Sequence, residues 1–451
     1  MQFEITNEFI QEIQQLIAEQ KNDALLNLLK EVHYADIAEI VEELNSEEAI
    51  YIIKLLESDV TSEVIAELDE DTREKVLKGL SSKEIADEIG ELDTDDAADI
   101  IAELSDEQKI EVISHIEDSE HAKEIVELLR YDEDTAGGLM AKELVKVNEN
   151  WNVLTCVKEM RAQAEEVTRV HSIYVVDDND ILKGRLSLKD LLTTSTRSPI
   201  KDVFIKNVDS VSVNEDVEDV ARIMQKYDLE AIPVVDELGR LVGRITIDDI
   251  VDVIKEEAEK DYQMAAGISQ DVEADDTIWE LTRARLPWLV LGLFGGLGSV
   301  FIMEGYEEFM ANPEYKRLFF FTPLIAAMAG NVGVQSSAIV VQGLANDIIK
   351  GSLFSRLLKE VSLSLISGIV LGLLVMLFGL VTNMDPKFSF TVAISMLLVI
   401  IVASLIGTFV PIILDKRGID PAIATGPFIT TSNDIFGIFL FFFIAKLILG
   451  F

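Results

Sequence analysis

Residues 421–443 read PAIATGPFITTSNDIFGIFLFFF, and residues 322–343 read TPLIAAMAGNVGVQSSAIVVQG. Both are apolar enough to enter a bilayer, yet each places Asn, Ser, Thr or Gln, together with Gly or Pro, near mid-depth. A wall facing lipid has no use for such residues. Pro323, Gly330, Gly333, Gly426 and Pro427 are expected to free backbone carbonyls, which a membrane tolerates only where protein or a water-filled path satisfies them. Asp434 is the most informative residue. An intramembrane carboxylate costs about 2.5 to 3.5 kcal/mol even on the mild insertion scale and needs a cation, a proton or a partner. The span interiors contain no basic residue to pair with it, and Lys446, about three turns further on, can snorkel to the outer end. Two readings stay open: a protonated Asp bonded inside a helix bundle, and a cation pathway. The default for intramembrane ionisable groups favours the pathway.

Working outward, charge-free runs lie between Arg285 and Glu304, Leu318 and Asn346, Val361 and Met384, and Phe388 and Leu414, and the fifth span is interrupted only by Asp434. Crossing about 30 Å of hydrocarbon takes roughly 20 residues, so the first run, at eighteen, is marginal. Arg283 and Arg285 precede the first span, Lys350, Arg356 and Lys359 separate the second from the third, and Lys416 and Arg417 the fourth from the fifth. These mark the cytoplasmic side. EGYEEFMANPEYKRL (304–318) and NMDPK (383–387) then face outward. The expectation is a multi-pass protein of the cell membrane with its N-terminal part cytoplasmic and its C-terminus outside. Gly292, Gly295, Gly296 and Gly298 in the first span, and Gly368 and Gly372 in the third, provide faces for close helix packing.

The 451 residues include 81 acidic and 38 basic side chains, a formal charge of −43, yet 49% are hydrophobic. Those properties belong to different parts. From Leu286 onward there are 10 acids and 9 bases, whereas the 285 residues before it hold 71 acids and 29 bases. So acidic a front repels nucleic-acid backbones and anionic lipid heads and attracts cations, which argues against nucleic-acid partners. One cysteine, Cys156, excludes an internal disulfide and a cysteine-rich zinc site. The opening MQFEITNEFIQEIQQLIAEQ has neither the basic start nor the apolar core of a cleavable signal peptide.

In the middle, HSIYVVDDNDILKGRLSLKDLL (171–192) and EAIPVVDELGRLVGRITIDDIV (230–251) are one unit written twice. Each predicts a strand, a polar hairpin turn, a second strand after Gly184 or Gly243, then Ser187 or Thr246 and an acid, Asp190 or Asp249, opening a helix. The unit resembles a tandem pair of CBS domains. That resemblance implies that Ser187 and Asp190 can hold the ribose of an adenine nucleotide, which makes ATP a candidate regulatory ligand. N-capping by Asp190 and Asp249 explains the same residues without a ligand.

At the front, Glu-Leu recurs at Glu43, Glu67, Glu91 and Glu103, the period of stacked short helices. ELDTDDAADIIAEL (91–104) places Asp95 and Asp99 on one helical face with Asp96 beside them, and no neighbouring base in the sequence offsets them. A solvated face accounts for any one of these acids; for the cluster, a bridging Mg²⁺ or Ca²⁺ is at least as good an account. Residues 251–288, VDVIKEEAEKDYQMAAGISQDVEADDTIWELTRARLPW, begin as a charged helix and run straight into the membrane. A passive linker is richer in Gly, Ser or Pro.

The expected fold is thus a multidomain membrane protein: an all-α superhelical repeat domain (1–131), two α/β CBS domains (132–200 and 201–254), a connecting helix (255–285) and a five-helix transmembrane domain (286–451). That order resembles the MgtE family of magnesium transporters, and YDEDTAGGLM (131–140), MAGNVGVQ (328–335) and GPFITTSND (426–434) resemble its interdomain stretch, second-span pore motif and fifth-span ion site. The resemblance implies a homodimer whose interfacial pore admits Mg²⁺ down its electrochemical gradient and is closed by cytosolic Mg²⁺. Carried over by position, Asp434 is the pore carboxylate, beside Asn331 and backbone near Gly426 and Thr430. Asp95, Asp99, Asp216, Glu218, Asp228, Asp249, Asp252, Glu257 and Asp420 are regulatory ligands. Lys260 departs from the family's acidic run. The alternatives are a membrane-anchored nucleotide or cation sensor, a transporter of another divalent cation such as Co²⁺, and a CBS-regulated enzyme. The last is weakened because His33, His115, His121 and His171 are scattered, with no paired nucleophile and base.

Overall fold

The computed structural model describes residues 5–164, 167, 169–270, 272, 274, 276–307, 315–345, 349, 352–424 and 426–450, and the chain divides into two compact units, residues 1–254 and 255–451. Lys350 and residues 308–314 of the first outward connection, both used above for orientation, lie outside the described residues.

The first unit begins with short helices: α1 (Asn7–Ala18), α2 (Asn22–Leu29), α3 (Tyr34–Glu42), α4 (Ser46–Ile53), α5 (Ser58–Glu67), α6 (Glu70–Lys78), α7 (Ser82–Ile89), α8 (Thr94–Ala102), α9 (Asp106–His115) and α10 (His121–Leu128). None is long enough to persist alone in water, so each depends on caps and neighbours. Asn45 with Glu48 and Ser81 with Glu84 form capping boxes, and Thr6, Asp69 and Ser105 each accept a first-turn amide, at about 1 kcal/mol apiece. Helix α3 packs on α5, α5 on α7 and α7 on α9. The leucines of the Glu-Leu repeat, Leu44, Leu68, Leu92 and Leu104, close helix ends and are buried. The repeat therefore marks where each helix turns back onto the stack.

The two CBS modules have matching registers. In the first, β1 (Val145–Asn148) runs parallel to β2 (Ile173–Val176), which pairs antiparallel with β3 (Leu182–Leu186); α11 (Val153–Gln163) and α12 (Leu188–Thr193) complete it. In the second, β4 (Val211–Ser212), β5 (Ala231–Val235) and β6 (Leu241–Thr246) repeat the order, with α13 (Val217–Tyr227) and α14 (Ile247–Ala266). Val175 pairs with Gly184 as Val234 pairs with Gly243, and a bulge follows each. Both glycines lie within their strands rather than before them, because another segment crosses there: an added Cβ would meet Ile205 O at 2.1 Å or Ala141 O at 2.8 Å. The two hairpin turns also pair with one another, the Leu182 N–H donating to Gly239 O and the Leu241 N–H to Asp180 O.

The capping expectation needs correction. Ser187, not Asp190, is the N-cap of α12, accepting the Lys189 N–H at 3.2 Å. Asp249 lies in the first turn of α14 and reaches back to accept the Thr246 N–H at 2.8 Å and hydroxyl at 2.7 Å. The helices start directly after the hydroxyl residue, so each aspartate stands three residues on, at the reciprocal position of a capping box. The YDEDTAGGLM stretch is also more than a joint. The Ala136 N–H donates to Glu215 O, the Gly137 N–H to Val213 O, and Ala141 exchanges bonds with Arg244, so it is laced to the second module before the chain enters the first.

The second unit holds α15 (Ile278–Glu304), α16 (Thr322–Ala345), α17 (Leu353–Val381), α18 (Pro386–Asp415) and α19 (Gly426–Leu449), five helices long and apolar enough to span a membrane. The first is not marginal: Thr277 and Glu280 form a capping box that starts it before Arg283, giving 27 residues. Its charges, Glu280, Arg283 and Arg285 in the first turns and Glu304 at the end, lie where an interface accommodates them. Helix α18 is central, packing on α16, α17 and α19, while α15 packs on α19. Gly295 and Gly298 face Thr431 and Ile435 of α19, and Gly368 and Gly372 face α18, whereas Gly292 and Gly296 meet open space. The expected breaks near mid-depth are absent from α16 and α19. Pro323 and Pro427 sit second in their helices, where proline's missing N–H is not needed, and Gly330 and Gly333 lie inside an unbroken α16. The interior prolines are Pro287 and Pro411.

Gly243→Ala should overpack the crossing of β6 with Ala141 by about 1 to 3 kcal/mol. Hydrogen exchange of the β5 and β6 amides in the full chain should then accelerate roughly five- to hundred-fold, while Gly296→Ala, which meets open space, leaves the melting temperature unchanged.

Candidate functional site

Helices α16 and α19 meet where α16 lacks side chains. A Cβ on Gly330 would lie 3.2 Å from Thr430 Cγ2 and 3.5 Å from Asp434 Oδ1; one on Gly333 would lie 1.8 Å from Asn433 Nδ2, and one on Gly407 of α18 would lie 2.3 Å from Gly333 O. Gly333 and Gly407 have no room for a side chain and Gly330 has little, which lets three helices close around the polar run of α19. Asp434 is half-buried in this seam, and Asn331, next to Gly330, is exposed on the single chain. Thr430 Oγ1 donates to Gly426 O at 3.0 Å. Asn433 is fully buried, and its amide N and O find no hydrogen-bond partner among the described residues. The end of α14 meets the start of α19 here: a Cβ on Gly426 would lie 2.2 Å from Ala265 O, and one on Gly267 2.3 Å from Pro427 Cγ.

In the first unit, the start of α8 faces the start of α14. Asp95 is raised by burial and then by Asp96, Asp249, Asp93 and Glu143. Burial, followed by Asp249, Asp99, Asp93 and Glu63, pushes Asp96 up to about 7. Asp99 also rises to about 7, through burial and then Glu133, against the opposing pull of Arg73. Burial raises Asp249 despite its two bonds from Thr246. Asp96 and Asp99 are nevertheless exposed on one side, so solvent screens part of the effect that the surrounding protein and neighbouring carboxylates exert on their charged forms. Oxygens of Asp93, Asp95 and Glu143 lie within 4.8 Å of one another, a donor set suited to a hard divalent cation. The expectation that no base offsets this cluster is overturned: folding brings in Arg244, nearly fully buried, with Nη2 3.4 Å from Asp93 Oδ2, and Arg73 beside Asp99. Both come from elsewhere in the sequence, so a local reading of charge misses them.

The remaining candidates are dispersed. Asp252 approaches Glu67 of α5, whose carboxyl is raised by burial and then by Asp252. Asp216 caps α13, accepting the Glu218 N–H at 2.9 Å, and Asp228 ends it with a left-handed φ of 51°; all three are exposed and do not join the α8 cluster. In the second unit, Asp420 and Glu257 both act on Asp261, whose carboxyl is raised first by burial. Glu257 pairs with Lys260 at 3.0 Å. Sequence reasoning missed Asp93, Glu143, Asp261 and Asn433 as site residues. Asp93 stands beside the quoted acids, but nothing local in AKELV singles out Glu143.

The chain matches the family described as divalent cation transporter over residues 322–444, the MgtE intracellular N domain over 32–134, and the CBS domain over 136–196 and 200–256. It is 38% identical over 327 residues to the magnesium transporter MgtE of Enterococcus faecalis and 36% over 325 residues to that of Bacillus subtilis, covering 72% of each chain in both cases. It is similar to the crystal structure of the soluble part of a magnesium transporter (30% identity, TM-score 0.50, 55% of this chain and 98% of that one). It is also similar to that of the cytosolic domain of the Mg²⁺ channel MgtE in complex with ATP (34%, 0.51, 54% and 99%). With a polar seam between membrane helices, an acidic helical stack on a CBS pair, and relatives matched across both, the chain belongs to the MgtE family of magnesium transporters.

Proposed function

We propose that this protein passes Mg²⁺ into the cytoplasm down its electrochemical gradient and is closed by cytosolic Mg²⁺. The observation that carries the reading is Asp434, held half-buried against Gly330 in a seam of amides and hydroxyls between α16 and α19. A membrane anchor needs no such carboxylate, so the anchored-sensor alternative is not favoured. Exposed Asn331 beside it supports a homodimer in which two copies of the seam face each other and form the pore. Mg²⁺ sheds water reluctantly; two symmetry-related Asp434 carboxylates, with Asn331 and oxygens near Gly426 and Thr430, balance its charge while it keeps its shell.

Closure follows from electrostatics. Asp95, Asp99 and Asp249, with Asp252 near Glu67, form a seam of like charge within the first unit, and Glu257 and Asp420 gather round Asp261 in the second. A ligand shifts an equilibrium only by binding one state more tightly, and carboxylates that converge in one state meet that condition for Mg²⁺. Asp216, Glu218 and Asp228 belong to this reading through family resemblance alone. ATP is assigned to the CBS pair as a regulatory ligand near Ser187 and Asp190, supported by the relative crystallised with ATP. Arg283, Arg285, Arg356, Lys359, Lys416 and Arg417 support a cytoplasmic N-terminal part and an outer C-terminus in the cell membrane.

In liposomes, Asp434→Ala should lower Mg²⁺ flux more than tenfold, and Asp95→Asn or Asp249→Asn should raise severalfold the internal Mg²⁺ that stops it. Undiminished flux in Asp434→Ala removes that residue from the pathway, and equal flux of Co²⁺ or Ca²⁺ replaces Mg²⁺ selectivity with a broader one. The raised carboxyls add a pH dependence. Folded Asp96 and Asp99 bind protons up to about pH 7, whereas unfolded ones release theirs near 3.9, so the contribution of these two groups to stability falls as pH rises through that window. In chelator, the melting temperature should drop between pH 5 and 8; Mg²⁺ should restore it most at pH 8, and Asp96→Asn should flatten the slope.

A further inference from the structure

At the edge of the acidic seam stands a donor set of different chemistry. His121 opens α10, and Glu124, one turn on, shares its face. Glu143 comes from the segment entering the first CBS module. One ligand atom from each lies within 4.8 Å of the other two, and His121 Nδ1 is 3.9 Å from Glu143 Oε1. Glu143 is held from its other side: Oε2 accepts the Thr94 hydroxyl at 2.8 Å, and both oxygens accept the Thr94 N–H at 3.2 Å. Its carboxylate is thereby fixed with Oε1 toward the imidazole. The second ring nitrogen, His121 Nε2, is buried and has no hydrogen-bond partner among the described residues, although buried polar atoms nearly always have one. The nearby ammonium, Lys142 Nζ, is bonded to Glu127 at 2.9 Å.

We propose that His121, Glu124 and Glu143 bind a borderline divalent transition cation of the Zn²⁺ or Co²⁺ class, at a site that borders the all-oxygen set of Asp93 and Asp95 and shares Glu143 with it. An imidazole with two carboxylates suits such cations, whereas Mg²⁺ prefers oxygen and water. Metal–donor distances near 2.0 to 2.2 Å require the three side chains to draw together from their present spacing. Glu143 then serves two elements at once, with Oε2 on the start of α8 and Oε1 on the metal. Occupancy would tie α10 to the stretch that is laced to the second module. The site goes beyond Mg²⁺ transport and does not depend on that reading.

The test is Co²⁺ titration of the full-length protein in detergent, followed by visible absorbance with and without millimolar Mg²⁺, which competes for the shared Glu143 but not for the imidazole. One Co²⁺ per chain with ligand-field bands is expected. His121→Gln and Glu124→Gln should each weaken it at least tenfold, while His115→Gln, at an exposed position outside the trio, should not. Unchanged circular dichroism in His121→Gln separates loss of a ligand from loss of fold. Co²⁺ affinity and spectrum that persist in folded His121→Gln overturn the proposal, as does the absence of bands in the native chain. Mg²⁺ flux in these variants reports separately on transport.

Discussion

Carboxylates gathered more closely than their own charge favours are the constraint on which the acidic half of this molecule turns. The start of α8 offers Asp93, Asp95, Asp96 and Asp99 to the start of α14, where Asp249 waits. Apolar stacking of α3, α5, α7 and α9 and the main-chain pairing of residues 136–141 hold the arrangement in spite of that repulsion. Arg244 and Arg73 offset only part of it: Arg244 reaches Asp93 at 3.4 Å and leaves its own Nε without a partner among the described residues. What remains is relieved by protons or by cations, and as pH rises past about 7 Asp96 and Asp99 give up their protons. A domain assembled this way is imperfectly neutralised, which is the physical basis of the proposed closure by cations.

The membrane half resolves the opposite difficulty, sheltering one acid in a medium that rejects charge. It does so by subtraction. Gly330 and Gly333 give up side chains so that Asp434 and Asn433 have room, and Gly407 lets α18 approach the same point. The buried amide of Asn433, unsatisfied within the described residues of one chain, lies next to the carboxylate, so polarity is concentrated in one turn of α19. The contact of Ala265 and Gly267 with Gly426 and Pro427 brings the end of the charged helix to the start of that same span.

Much of this was legible in the sequence, and the exceptions have physical causes. Five apolar runs, a twice-written CBS unit and a recurring Glu-Leu pair are periodic signals, which survive without knowledge of contacts. The first span looked short because counting uncharged residues ignores the capping box of Thr277 and Glu280, which starts the helix earlier. Pro323 and Pro427 looked like breaks because composition does not reveal their place in a helix, whereas one turn's shift makes them starts. Arg244, Glu143 and Asp261 escaped notice because their partners are distant along the chain. Asp190 was credited with a cap that its neighbour Ser187 makes.

The path of the chain through the CBS pair has an architectural meaning. Residues 136–141 are already bonded to Val213, Glu215 and Arg244 before the first strand of the first module begins, and the chain returns to that same neighbourhood at β4. Topologically, the first module is an insertion into a body made by the helical stack and the second module. It rejoins that body through the reciprocal bonds of two hairpin turns, Leu182 to Gly239 and Leu241 to Asp180. An inserted module of this kind can change its sequence without unseating the interface between the helical stack and the second module, which makes it the part of the first unit freest to diverge.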